Sequence, residues 1–347
     1  MKTYRVAVLS GDGTGPEVVG ATVQVLRAVE ERAGTYKLDL VQGEAGFNAI
    51  PKHRTNLPPQ TIDLLRTTLA CLKGPMTTPE EPGAPPSVAL TIRKLFNLYA
   101  NVRPCHSLPH VPSLNPNIDL VVVRENTEDL YSNIEFDLTE GVAVAIRVIT
   151  QKASERVARY AFKLAAQRRK HLSYVHKANI LRRTDGIFNQ SVLKVAKEFP
   201  EVRVDDYHID NLAMQLIKRP EAFDVIVTTN LFGDIISDEA AQLVGGLGVA
   251  PGANIGENYA MFEPIHGSAP KYAGQNKVNP IATILAGKML LDYLGEKDSA
   301  GTVERAVMEV LNEGKVLTYD LGGKAKGSEV GEAIVDKIRT HRAAPTM

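Results

Sequence analysis

The sequence predicts an α/β fold built on parallel strands and organised as two domains. Short apolar runs ending in polar residues recur along the chain, helical periodicity fills the intervals, and 347 residues exceed what one ordinary hydrophobic core spans. RVAVLS, Arg5 to Ser10, is a β-branched run ending in GDGTGPE, after which Val18, Ala21, Val25, Ala28 and Val29 recur at helical spacing: strand, glycine turn, helix. LACLKGP, IDLVVVREN (118 to 126), LSYVHKAN (172 to 179) and FDVIVTTN (223 to 230) repeat the pattern of an apolar strand closed by polar residues, and α/β sheets keep their sites at such strand ends. SERVARYAFKLAA is helical, with Ser154 as its expected N-cap. YHIDNLAMQLIKRP makes a short helix before the FDVIVTT strand, and NLFGDIISDEAA (230 to 241) a helix after it. VGGLGVAPGANIG (244 to 256) is a glycine-rich separator before a helical C-terminal third, in which Asn279 and Pro280 supply the N-cap and first turn of PIATILAGKMLLDYLG. No internal repeat or low-complexity tract interrupts this order.

Composition narrows the function. Lys plus Arg and Asp plus Glu both number 40, a zero formal charge that argues against nucleic acid and against a membrane surface as partners. MKTYRVAVLSGDG has too short an apolar run for a signal peptide and no later segment reaches the length of a membrane span, so the expected location is cytoplasmic. Cys71 and Cys105 lie far apart and outside any CxxC, which points to neither a disulfide framework nor a structural zinc site.

The chemistry-bearing candidates are charged. Asp234 and Asp238, four residues apart, share one face of their helix; this suits either helix-start electrostatics or a common ligand. With Asp210 they offer hard oxygen ligands suited to Mg²⁺ or Mn²⁺. Arg93, Arg103 and Arg124 are either ordinary surface arginines or, gathered at one pocket, bidentate grips for a di- or tricarboxylate; Arg124 directly ends an apolar strand.

Longer stretches carry a resemblance over essentially the whole chain. GDGTGPE (11 to 17), LYANVRP (98 to 104), RENTEDLY (124 to 131), VHKAN (175 to 179), NLFGDIISD (230 to 238), GGLGVAPGANIG (245 to 256) and FEPIHGSAPKYAG (262 to 274) are similar to motifs of the decarboxylating β-hydroxyacid dehydrogenases, which include isocitrate, homoisocitrate and 3-isopropylmalate dehydrogenases. The resemblance implies oxidation of a 2-hydroxy acid by hydride transfer to NAD or NADP, then loss of the β-carboxylate as CO₂. It also implies an isopropylmalate/isocitrate dehydrogenase-like fold, two α/β domains with an interdomain active-site cleft, which is not an ordinary Rossmann fold. GDGTG lacks the GxGxxG spacing and reads as a plain turn. On the family pattern residues 1–100 plus 250–347 form the cofactor-binding domain and 101–249 the dimerisation and metal/substrate domain, and members are homodimers with shared active sites.

Residue by residue, the resemblance implies a metal held by Asp234 and Asp238 of one subunit and Asp210 of its partner. It implies that Lys177, reaching from the other subunit, assists removal of the hydroxyl proton, that Tyr131 protonates the enol carbon, and that Arg93, Arg103 and Arg124 bind substrate carboxylates. Ser87, with Thr78 before it, falls where isocitrate enzymes bond a third carboxylate. Two departures, Ala89 in place of asparagine and one extra residue in the loop between Thr78 and Ser87, bear on isocitrate against homoisocitrate. Lys271, Tyr272, Tyr319 and a neighbouring subunit's Arg219 match positions beside the adenosine 2′-phosphate of NADP, whereas Gly323 stands where the NADP pattern has an arginine. Glu263, His266, Gly267, Ser268, Ala269 and Asn279 match residues around the rest of the nucleotide. The expected function is NADP-dependent, metal-dependent isocitrate dehydrogenase; the alternatives are a homoisocitrate or 3-isopropylmalate dehydrogenase using NAD, or a non-catalytic regulatory subunit, against which the retained Tyr131, Lys177, aspartates and arginines argue.

Overall fold

The computed structural model describes residues 1–79, 81 and 84–340. Strands β1 (Lys2–Leu9), β2 (Tyr36–Gly43), β3 (Ala70–Lys73), β4 (Ala100–His106), β5 (Asp119–Glu125), β6 (Glu135–Thr139), β7 (Val142–Ala145), β8 (His171–His176), β9 (Arg203–His208), β10 (Val225–Thr228), β11 (Pro251–Ile255) and β12 (Ala260–Pro264) alternate with helices. These are α1 (Gly15–Ala33), α2 (Ile50–His53), α3 (Pro59–Arg66), α4 (Val88–Leu95), α5 (Gln151–Gln167), α6 (Thr184–Ala196), α7 (Ile209–Lys218), α8 (Asn230–Leu243), α9 (Ile281–Leu294), α10 (Lys297–Glu313) and α11 (Gly327–Thr340). Helix α1 shows the local logic: Pro16 and Glu17 suit its first turn, and Gly34, at φ 63°, closes it by donating its N–H to the Glu30 carbonyl. Ser154 does not cap α5. Thr150, in extended backbone, accepts the Ala153 N–H, and Ser154 lies buried one turn inside, its hydroxyl back-bonded to the Thr150 carbonyl. Asn279 is not the N-cap of α9 either: Pro280 holds that position, and Asn279, one residue before it, accepts the Ile281 N–H with its carboxamide oxygen. Among the described residues no helix is long and apolar enough to cross a membrane.

Ten strands form one sheet in the order β2-β1-β3-β12-β11-β4-β5-β10-β8-β9, mostly parallel. The glycine-rich separator is not a linker: it contains β11, which runs antiparallel to both β12 and β4, and β4 runs antiparallel to β5. This mixed centre, where strands from both chain ends meet strands from the middle, departs from an all-parallel sheet. Strands β6 and β7 pair separately as an exposed hairpin.

The two faces of the sheet are packed differently. On one, Val6, Val8, Leu72, Phe262, Val102 and Val123 join a single continuous core with residues of α1, α5, α6, α9, α10 and α11. On the other the packing divides in two. Cys105, Leu120, Val122 and Ile226 meet α7 and α8, whereas Ala7, Leu9, Cys71 and Met261 meet α4. Side chains alternate along a strand, so Asn101 and Arg103 project opposite to Val102, and the register sets Asn101 between Arg124 and Asn254. A buried polar row therefore occupies the gap between the two smaller cores.

Candidate active site

The gap is built from strand ends and one helix start. After β10 the chain turns through buried Thr229 and Asn230 into α8, which lies across β5. Close approach requires Gly233: a Cβ there would sit 2.6 Å from the Cβ and Cγ of Arg124. Arg124 is almost wholly buried, donates from Nε to the Asn230 carboxamide oxygen at 2.8 Å and pairs with Asp234. Arg103 donates to the Ser237 hydroxyl at 2.6 Å and to Asp238 at 2.8 Å, with Asp234 at 3.5 Å. The Tyr131 hydroxyl donates to the other oxygen of Asp234, and its ring lies 4.7 Å from the Arg124 guanidinium. Tyr131, Arg103, Arg124, Asp234 and Asp238 thus converge in one chain.

Beside them, Arg93 of α4 donates to Glu263 at 3.2 Å, and Lys73, at the end of β3, pairs with the second Glu263 oxygen at 2.8 Å. Asn254 donates to Glu263 at 2.8 Å and accepts from Asn101 and Asn126, which ties the network across β4, β5, β11 and β12. Lys73, Ala89, Arg93, Asn101, Arg103, Glu263, His266 and Gly267 line a cavity of about 180 Å³. Sequence reasoning passed over Lys73, yet its signal was the one noted for Arg124: a cation closing an otherwise apolar strand, here LACLK.

Electrostatics state what this gap lacks. Four cations (Lys73, Arg93, Arg103, Arg124) face three carboxylates (Asp234, Asp238, Glu263). Burial, with Arg93 and Arg103 close by, pushes the Arg124 guanidinium down to about 10. Burial pushes the Asp234 carboxyl up, but Arg124, the Tyr131 hydroxyl and Arg103 outweigh it and hold the group below its ordinary value; Asp238, with fewer partners, is raised by burial. Arg93 Nε, Arg103 Nε and Arg124 Nη2 are buried N–H donors without a hydrogen-bond partner. Unpaired buried donors are costly, so the arrangement suits a multiply charged anion that accepts from all of them. Asp234 and half-exposed Asp238 present hard oxygens that suit Mg²⁺ or Mn²⁺.

A second cavity, about 580 Å³, opens on Tyr131 from the far side of α4. Thr78, Ser87, Thr91 and Lys94 line it together with Leu90, Leu130 and Leu231. The Ser87 hydroxyl makes no capping bond to the α4 it precedes, which leaves it available. The loop between Thr78 and Ser87, in which one extra residue is expected, includes residues 80, 82 and 83, which lie outside the described residues.

The GDGTG turn abuts the HGSAP segment. Thr14 donates its N–H to the Ser268 carbonyl at 2.9 Å, a Cβ on Gly13 would meet that oxygen at 2.1 Å, and the Thr77 and Ser268 hydroxyls bond at 2.7 Å. Buried Asp12 accepts the N–H groups of Phe47, Asn48 and Thr77, so the turn binds three loops together. Ala269 holds a positive φ of 39°, and burial lowers the His266 imidazole, whose Nδ1 lies 3.0 Å from the Gly267 carbonyl. Asn279 donates to Asp320. Tyr272 and Tyr319 lie 5.9 Å apart; Lys271 sits 4.8 Å from the Tyr272 ring, and Lys277 sits 4.5 Å from Tyr319 and 5.1 Å from Tyr272. Lys277 was missed because no periodicity relates a loop lysine to a ring 42 residues later. Position 323 has no space for a side chain, since a Cβ there would meet the Leu317 carbonyl at 1.9 Å.

Asp210 and Lys177 stand elsewhere, paired with each other at the start of α7, and that pairing lowers the Asp210 carboxyl. Arg219 ends the same helix, bonded to Gln215. Among the described residues of this one chain, no three His, Cys, Asp or Glu side chains gather closely enough to hold a metal.

A profile of the family described as "Isocitrate/isopropylmalate dehydrogenase" matches residues 5–334. The 3-isopropylmalate/3-methylmalate dehydrogenase of Methanocaldococcus jannaschii is 44% identical over 97% of this chain and 99% of its own length. The isocitrate/homoisocitrate dehydrogenase of Thermus thermophilus is 48% identical over 97% and 99%. The crystal structure of isocitrate dehydrogenase from Methylococcus capsulatus superposes with a TM-score of 0.91 at 44% identity, covering 97% of this chain and 100% of that one. Matched along its length in sequence and in fold, this chain belongs to the isocitrate/isopropylmalate dehydrogenase family of decarboxylating dehydrogenases, which use NAD or NADP and a divalent metal.

Proposed function

We propose that the chain oxidatively decarboxylates isocitrate to 2-oxoglutarate and CO₂ with NADP. The observation that carries this is the buried guanidinium cluster of Arg93, Arg103 and Arg124, whose unpartnered N–H groups share a gap with Asp234 and Asp238. The arginines hold the substrate carboxylates and fix the C2 hydroxyl in place, and the Ser87 and Thr78 hydroxyls take the third carboxylate. Asp234 and Asp238, with Asp210 of the neighbouring subunit, would hold a divalent cation, which would supply positive charge where oxygen gains electrons, and NADP would supply the hydride acceptor. Lys177 of that neighbour assists removal of the hydroxyl proton. Tyr131, whose phenol burial and Asp234 hold above its ordinary value, keeps its proton and delivers it to the enol carbon.

Lys271 and Lys277 around the Tyr272–Tyr319 pair support NADP, since two cations and two hydroxyls there offset the absent arginine at 323. Exposed Met214, Ile217 and Ile235 on α7 and α8, and Phe136, Leu138 and Val142 on the β6–β7 hairpin, support a homodimer. Residues 1–100 with 250–347 and residues 101–249 then act as the two domains flanking the gap.

Leu90, Leu130 and Leu231 beside Ser87 favour a second reading, a substrate with an apolar substituent such as 3-isopropylmalate. Isocitrate, homoisocitrate and 3-isopropylmalate, each assayed with NADP and NAD in the presence of Mn²⁺, decide between them. The first reading requires the highest kcat/KM for isocitrate with NADP, and a higher value for 3-isopropylmalate would replace it.

A further inference from the structure

The structure assigns a positioning role to Arg147, an inference that rests on the roles proposed above for Tyr131, Lys177 and Asp234. Its guanidinium is nearly buried, and its hydrogen bonds go to Asp129, Asp185 and Thr229, in the three segments that carry the candidate site residues. Nε donates to Asp129 at 2.6 Å, Nη1 pairs with Asp185, and Nη2 donates to the Thr229 hydroxyl at 2.9 Å; the plane lies 4.9 Å from the Phe232 ring. Each partner in turn fixes a catalytic segment. Asp129, fully buried, accepts the N–H groups of Leu130 and Leu231, and so ties the Tyr131 loop to the first turn of α8. Asp185, also fully buried, accepts the backbone N–H of Lys177. Thr229 is the residue from which α8 starts toward Asp234 and Asp238.

The backbone at Asp129 shows that this hub is under constraint. Its φ of 70° with ψ of −147° is a region that residues with a side chain rarely occupy, and such a conformation persists only where its surroundings over-determine it. A single planar cation with donors in a fixed fork answers both carboxylates and the Thr229 hydroxyl at once, which a lysine ammonium on a flexible stem does not. Because Tyr131 and Lys177 serve different subunits' sites in the proposed dimer, this one guanidinium also sets the relation between the two sites.

The test compares Arg147→Lys and Arg147→Ala with the unchanged full-length protein, in steady-state kinetics with isocitrate, NADP and Mn²⁺ and in thermal unfolding. Displacing reacting groups by up to an ångström costs on the order of ten- to a hundredfold in rate. Arg147→Lys is expected to lose that much kcat with the NADP KM changed less than about twofold, and low-millimolar guanidinium ion is expected to recover part of the Arg147→Ala loss. Wild-type kcat in folded Arg147→Lys overturns the assignment, as does a loss that follows only the folded fraction and does not respond to guanidinium. Should Arg147→Ala not fold, Thr229→Val, which deletes one Arg147 contact, takes its place, with a kcat loss at unchanged NADP KM required. An inactive unchanged protein instead fails the functional reading itself.

Discussion

Glu263 is the buried anion on which two buried cations depend, and Glu263→Gln tests that dependence. Burial pushes the carboxyl up, but Lys73 and Arg93 outweigh it and hold the group at about 2 against an ordinary 4.5. A carboxyl held that far down contributes about 3 kcal/mol of stability near neutral pH. Breaking a buried pair by removing one partner costs about 3–5 kcal/mol, so the two estimates agree. Because the folded-state value lies below the unfolded one, the contribution is complete above about pH 4.5 and is lost as pH falls toward 2. Urea unfolding of the free protein and of Glu263→Gln, followed by far-ultraviolet circular dichroism, is expected to show a gap of about 3 kcal/mol at pH 7 that narrows to about 1 kcal/mol by pH 3. A variant within about 0.5 kcal/mol of the parent at pH 7, or a gap that stays constant into acid, refutes the reasoning.

Asp234→Asn removes a carboxylate beside Arg124 and Tyr131; the metal concentration needed for half-maximal rate is expected to rise at least tenfold and kcat to fall by about a hundredfold or more, read from Mn²⁺ titrations of initial rate. Lys277→Gln is expected to weaken binding of 2′,5′-ADP about tenfold by calorimetry while leaving 5′-AMP unchanged, since only the former carries the extra phosphate. A parent protein that binds both alike fails the NADP reading, and an unaffected variant of a selective parent fails only the role of Lys277. Gly323→Arg, the obvious graft toward the NADP pattern, is expected to destabilise the fold by about 1–3 kcal/mol or more without improving the NADP KM, because its Cβ collides with the Leu317 carbonyl.

Much of the candidate site was legible because its determinants are local. Apolar runs closed by polar residues marked β5 and β10, a four-residue spacing put Asp234 and Asp238 on one helical face, and a cation ending an apolar strand singled out Arg124. The same rule applied to LACLK would have found Lys73. Ser154 misled because capping depends on backbone angles: Thr150 is extended at φ −112°, ψ 148°, and that geometry, not hydroxyl chemistry alone, selects the cap.

By itself the chain determined the strand and helix alternation, the absence of any strong charge bias, and which side chains could do chemistry, since propensity, periodicity and composition act over a few residues. Only the tertiary structure decided that β4 and β11 run antiparallel, that Lys73 meets Glu263, that Lys277 reaches Tyr319, and that Arg147 joins Asp129 to Asp185. Strand direction at the sheet centre and the pairing of distant charges follow from which surfaces can be buried together. That is a property of the whole packed chain, and no short window of residues contains it.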